Sequence, residues 1–367
     1  MIRQAKDHFS RHTVSGRRNC TTFVIAVLLS APLALAFSKA MAAEAPLMLE
    51  RSIKIPDVPV GPYTDTMSVD VAGGRLFASP QAAKAVAVLD LKDGRVLKMI
   101  SGVGNPHGLF YSPKLKRLFV SDGASNDVKV FNGDDYSLIK TIPLAQGVDA
   151  LTYDPRSQFI YVSNGGDEAG MDQSLLSAID TVKMEKVADI PVATKGLEGI
   201  IVDPEKQVLY AESDESDHFL AVVDLNKRQT TATWPLPAGH RAKAIALDSA
   251  HARLYVACRD SALYGSIIVM DTANGRTVAT LPIGGWADGI FLDQKRQRIY
   301  VSAGVGRVET YAIGPNDADH RQAPVDTAML AKTSLYSSEL DRLYVSVPHL
   351  SMGSDGDAQI MVFKPEP

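Results

Sequence analysis

Apolar runs of four to six residues, alternating with polar positions and broken by Gly, Asp and Pro, recur along most of the chain. This is the period of strands and hairpins, not of amphipathic helices. The runs also repeat in kind, as GRLFASP, KRLFVSD, QFIYVSN, QVLYAES, ARLYVAC, QRIYVSA and DRLYVSV. Their aromatics, Phe77, Phe119, Tyr161, Tyr210, Tyr255, Tyr300 and Tyr344, follow one another at 42, 42, 49, 45, 45 and 44 residues. Seven positions before each aromatic stands a turn former: Asp70, Ser112, Asp154, Asp203, Asp248, Asp293 or Ser337. A later strand ends in Asp90, Asp180, Asp224 or Asp271, and a short turn leads to one more strand. Each unit therefore predicts four strands, which at this period is a propeller blade.

The two ends complement each other. The last unit stops at IMVFKPEP, after its third strand, whereas LERSIKIPDVPVGPYTD precedes the first unit and aligns with a fourth strand such as TVATLPIGGWADG. The segment near Ser52 to Ile55 is thus expected to complete the last blade, which leaves no open sheet edge. The predicted fold is all-β: a single seven-bladed β-propeller domain over residues 48–367, closed by its N-terminal strand.

The (R/Q)-(L/I)-Y-V-S core and the hhhD-x-x-x-G turn resemble the YVTN repeat of the YncE-like propeller family, over the whole of 48–367. The resemblance implies the fold and says little about activity; it also brings suggestions of DNA binding. A WD40 protein is not expected, because the only tryptophans, Trp234 and Trp286, do not recur per blade. The tryptophan-rich docking repeats of pyrroloquinoline-quinone dehydrogenases are missing for the same reason.

Residues 1–43 have the form of a cleaved export signal. Arg3, Lys6, Arg11, Arg17 and Arg18 precede a 15-residue apolar run from Phe23 to Phe37, and small residues around Ala40 and Ala42 follow. Pro32 interrupts the run, which is short for a membrane span. A Sec-type signal fits better than a twin-arginine one, so the protein is expected in the periplasm or outside the cell, as a monomer without a membrane span. Removing six basic residues and one acid from a chain of net charge -4 leaves the mature form near -9. That balance argues against nucleic acid as a partner, despite a local patch of Lys114, Lys116 and Arg117. Of the two cysteines only Cys258 remains, so the mature chain has no intramolecular disulfide and relies on core packing.

Candidate chemistry comes from one repeat position. Twelve residues before the anchor aromatics stand Asp65, His107, Asp149, Glu198, Lys243, Asp288 and Lys332, all titratable. The next residue is always small: Thr66, Gly108, Ala150, Gly199, Ala244, Gly289 or Thr333. Inner strands beginning here would crowd the axis and turn the charged side chains into the channel mouth. Tyr63, Arg241 and Trp286 are expected on the same face.

Lys243, Asp288 and Lys332 are expected to neutralise one another. Asp65, His107, Asp149 and Glu198 have no such cation in the ring. Three readings are open: a solvated channel mouth, a binding site for a small polar ligand or a protein partner, and a divalent-metal site. No cofactor is required, but three oxygens and an imidazole are donors suited to Ca²⁺, Mn²⁺ or Zn²⁺. A metal there would support a lactonase- or esterase-type hydrolase, with gluconolactonase-like propellers as the architectural analogy. No phosphate loop, nucleophile elbow or H-E-x-x-H motif occurs, and no catalytic residue is assigned.

Overall fold

Local chemistry builds the same hairpin seven times. At the turn between first and second strands the Asp or Ser side chain accepts a backbone N–H: Gly73 to Asp70 at 3.0 Å, Arg156 to Asp154 at 3.0 Å, Arg296 to Asp293 at 3.1 Å and Leu340 to Ser337 at 3.3 Å. The aspartates that end the third strands act likewise, as in Lys92 N–H to Asp90 at 2.7 Å and Ala273 N–H to Asp271 at 2.8 Å. Short polar side chains thus replace the ladder where it reverses.

The computed structural model describes residues 45–61, 64–213, 218–237, 240–314, 320–350 and 357–367. The export signal expected over 1–43 and Tyr63 lie outside them. Seven antiparallel sheets form the blades of a propeller. Blade one comprises Thr64–Asp70, Arg75–Pro80, Val86–Asp90 and Val96–Ile100 from axis to rim. Blades two to five repeat it, with inner strands Pro106–Ser112, Leu151–Asp154, Leu197–Asp203 and Ala242–Asp248. Blade six starts at Ala287–Asp293, and its outer edge is two fragments, His320–Arg321 and Val325–Asp326, both paired with Arg307–Ala312. The four-strand expectation is broken there by a discontinuous edge. Blade seven is Ser334–Ser337, Arg342–Val347 and Ala358–Pro365, completed by Leu47–Ile55. The closing register runs from Leu47 against Pro365 to Ile55 against Ala358, with a bulge between Leu49 and Arg51. The expected closure is present, and its strand begins five residues before Ser52.

The core lies between blades. All seven anchor aromatics are buried. Phe77, Val86 and Val88 of blade one pack on Leu109, Tyr111, Leu118 and Val120 of blade two, with the Phe77 and Tyr111 rings stacked at 5.1 Å. Each inner strand packs against the next, and that of blade seven against blade one. Among the described residues no helix is long and apolar enough to cross a membrane.

Candidate functional site

The inner strands enter the axis through a repeated irregularity. In blades one, two, four, five and six the ring residue is the second of its strand, and the pairing register slips across it: between Thr64 and Met67, Pro106 and Leu109, Leu197 and Ile200, Ala242 and Ala244, Ala287 and Gly289. Asp149 and Lys332 lie two residues ahead of their strands. A bulge re-aims one side chain, and here the same device acts in five blades. The small residue that follows is needed for blade contact: a Cβ on Gly108 would stand 2.5 Å from the Leu151 Cβ of blade three.

All seven ring residues line one open axial cavity of about 570 Å³, joined by Gln81 and Arg259. The mouth therefore holds four carboxylates (Asp65, Asp149, Glu198, Asp288) and four bases (His107, Lys243, Arg259, Lys332). The rest of the lining is mixed, with Thr66, Thr152 and Thr333 alongside Leu151, Ile245 and Leu335.

On blades one to three His107 bridges two acids. Its Nδ1 is 2.7 Å from Asp65 Oδ2 and 3.1 Å from Asp149 Oδ1. Gln81 donates to Asp65 at 3.1 Å, and the Asn105 amide is 2.8 Å from His107 Nε2. Burial alone would lower the imidazole pKa, but hydrogen bonds to Asp149 and Asp65 outweigh it and push it up to about 10. Burial pushes the Asp65 carboxyl up while His107 pulls it down, so the two titrate as a pair with the proton favoured on the imidazole. As metal donors, Asp65, His107 and Asp149 come within 4.8 Å of one another. Glu198 does not join them.

Glu198 instead pairs with Lys243, across the boundary of blades four and five. Asp288 is held by Arg259 on one oxygen and by Lys332 on the other, the latter at 2.6 Å. Of the expected Lys243–Asp288–Lys332 network the Asp288–Lys332 pair is present, Arg259 joins it, and Lys243 reaches Glu198 on its other side. Behind Glu198 stands Glu212, wholly buried, accepting the Gly199 N–H on Oε2 at 3.1 Å, with no partner for Oε1 among the described residues. Burial, then the Glu198 charge, push its carboxyl well above the usual range.

Neither Arg241 nor Trp286 lines the cavity. Arg241 donates from Nε to the Arg259 carbonyl at 3.0 Å. Trp286 is at the rim, 37% exposed, with the Arg259 guanidinium 5.6 Å from its ring. Cys258 is buried. In the patch near Lys114, Lys116 pairs with Asp134, and Arg117 donates to the carbonyls of Thr181 and Val182.

Gln81, Arg259 and Glu212 were not among the ring residues expected from the sequence, yet the repeat marks them. Gln81 and Arg259 lie four residues after the anchor aromatic, where Gly123, Gly165 and Gly304 stand in blades two, three and six. At Gly123 a Cβ would meet His107 Nε2 at 2.8 Å, so the glycine leaves room for the imidazole. Glu212 lies two after the anchor, where five other blades have serine. Ser121 shows that position's role: it accepts the Gly108 N–H at 2.7 Å and donates to the Asp149 carbonyl of the next blade at 2.6 Å.

No protein-family model and no curated protein matches the sequence. Solved structures do resemble it. A chain of Kuenenia stuttgartiensis hydrazine synthase is similar at 17% identity and TM-score 0.70, covering 83% of this chain and 96% of that one. A chain of the mitotic checkpoint complex is 14% identical with TM-score 0.69, covering 94% and 99%. U3-55K is 12% identical with TM-score 0.69, covering 86% and 98%. These likenesses show the β-propeller fold, an architecture that commonly serves as a binding or scaffold module.

Proposed function

We propose that the protein is an exported, YncE-like binding module that takes a small polar ligand into the axial mouth. The observation that carries this reading is the ring itself. Every blade delivers a titratable side chain to one opening, five of them through the same bulge, and none of the packing described above requires that. Charges placed where water and ligands enter suit orientation of a bound molecule. Export rests on the basic, apolar and small-residue order of residues 1–43.

A metal-dependent hydrolase is the second reading, and the approach of Asp65, His107 and Asp149 within 4.8 Å favours it. Those residues would hold the ion, which when bound would acidify a water. The fit is partial. Nδ1 of His107 faces both carboxylates as a hydrogen-bond donor, and Lys243 occupies Glu198, the carboxylate otherwise free to act as base.

One experiment separates the two. Thermal melts of the dialysed protein against a panel of small cations, anions, zwitterions and sugars are compared with those of Asp149→Asn. A ligand at about 100 times its dissociation constant adds roughly 2.7 kcal/mol, which appears as a shift of a few degrees. We expect such a shift in the wild type and its loss in the variant. Equal shifts in both proteins, or none with any compound, would refute the binding site. One tightly held divalent ion per chain, with a melt lowered by chelator, would favour the hydrolase.

A further inference from the structure

We infer that the ligand of the axial mouth is a linear zwitterion, with an ammonium and a carboxylate at opposite ends of an aliphatic body; this rests on the binding reading above. The eight charges fall into three groups. Glu198 and Lys243 cancel each other. Asp65, His107 and Asp149, on blades one to three, set two carboxylates around one imidazole, an excess of negative charge in either protonation state of the ring. Arg259, Asp288 and Lys332, on blades five to seven, hold two cations around one carboxylate and leave an excess positive charge.

The centres of these triads, His107 and Asp288, belong to blades two and six. In a ring of seven those blades are three steps apart one way and four the other, so the triads face each other across the axis. A ligand with a single charge would answer one triad and leave the other uncompensated. A zwitterion answers both. An α-amino acid carries its charges on one carbon and reaches one triad at a time, whereas an ω-amino acid can reach across.

One further feature fits this class. Leu151, Ile245 and Leu335, partly exposed among the cavity-lining residues, offer apolar contact to a methylene body between the two ends.

The test uses wild-type protein and isothermal titration with β-alanine, γ-aminobutyrate, δ-aminovalerate and ε-aminocaproate. The primary amide and the deaminated acid of each are titrated alongside, with L-alanine as the control. One chain length is expected to bind at least about tenfold more tightly than its amide, its deaminated acid and L-alanine. In Lys332→Met that ligand and its amide should bind within about twofold of each other. If an amide or a deaminated acid binds as well as its zwitterion, the inference falls while the binding reading stands. If no zwitterion binds but another compound of the melt panel does, again only the inference falls. If nothing in either set binds, both fall.

Discussion

The ammonium of Lys129 lies 2.7 Å from the Asp122 carboxylate inside blade two, with side chains only 10% and 1% exposed. Asp122 also accepts the N–H groups of Gly104 and Asn105, each at 2.8 Å, and Asn105 in turn touches His107. A buried cation thus braces the loop that carries the histidine of the mouth. Removing one partner of such a pair strands the other charge in the interior. Lys129→Met should therefore cost about 3 kcal/mol in urea unfolding, far more than a surface lysine such as Lys183. A cost below about 1 kcal/mol would show the pair to be incidental.

The same carboxylate makes stability depend on acid. Burial works against its ionisation, but Lys129 and the N–H groups of Asn105 and Gly104 outweigh that and hold the pKa at about 2, below its ordinary 3.8. A lowered folded-state pKa means stability present above pH 4 and lost as pH falls towards 2. Melts of the wild type and Asp122→Asn between pH 7 and pH 2 should converge as acid is added. A constant gap across that range would contradict the assignment.

His107 has the opposite sign. Its pKa is raised from 6.5 to about 10, so its contribution is complete below pH 6.5 and is lost as pH rises through about 10. His107→Gln should be destabilised at pH 7 and approach the wild type in alkali. The imidazole carbon-bound proton resonances should remain those of the charged ring at pH 8, which nuclear magnetic resonance reads directly.

A fourth prediction concerns the hairpin turns. Ala252, just before the second strand of blade five, has φ of 55°, where blade one has Gly74 at 62°. A side chain in this left-handed region is strained, and glycine is not. Ala252→Gly should stabilise by roughly 0.5 kcal/mol and raise the melting temperature by about a degree, with the mouth unaffected. A fall in melting temperature would mean that the Ala252 methyl contributes packing that outweighs the strain.

The sequence by itself determined the blade count, the closing strand and the seven residues that reach the mouth. These follow from near-neighbour chemistry: strand alternation, an aspartate capping its own turn, an aromatic at constant register. Such terms act over a few residues and survive repetition, so the position twelve before each aromatic could be read without coordinates. Tertiary structure alone decided the pairing. Nothing in the sequence says that Lys243 reaches Glu198; the approach of blades four and five brings the two together. Arg259 joins Asp288 because blade five has a long side chain where blades two, three and six have glycine. Hydrogen bonds and close ion pairs change steeply within about 1 Å. A repeat specifies which side chain arrives at the axis; ring closure sets the distances between arrivals, and with them the charge that each side of the mouth presents.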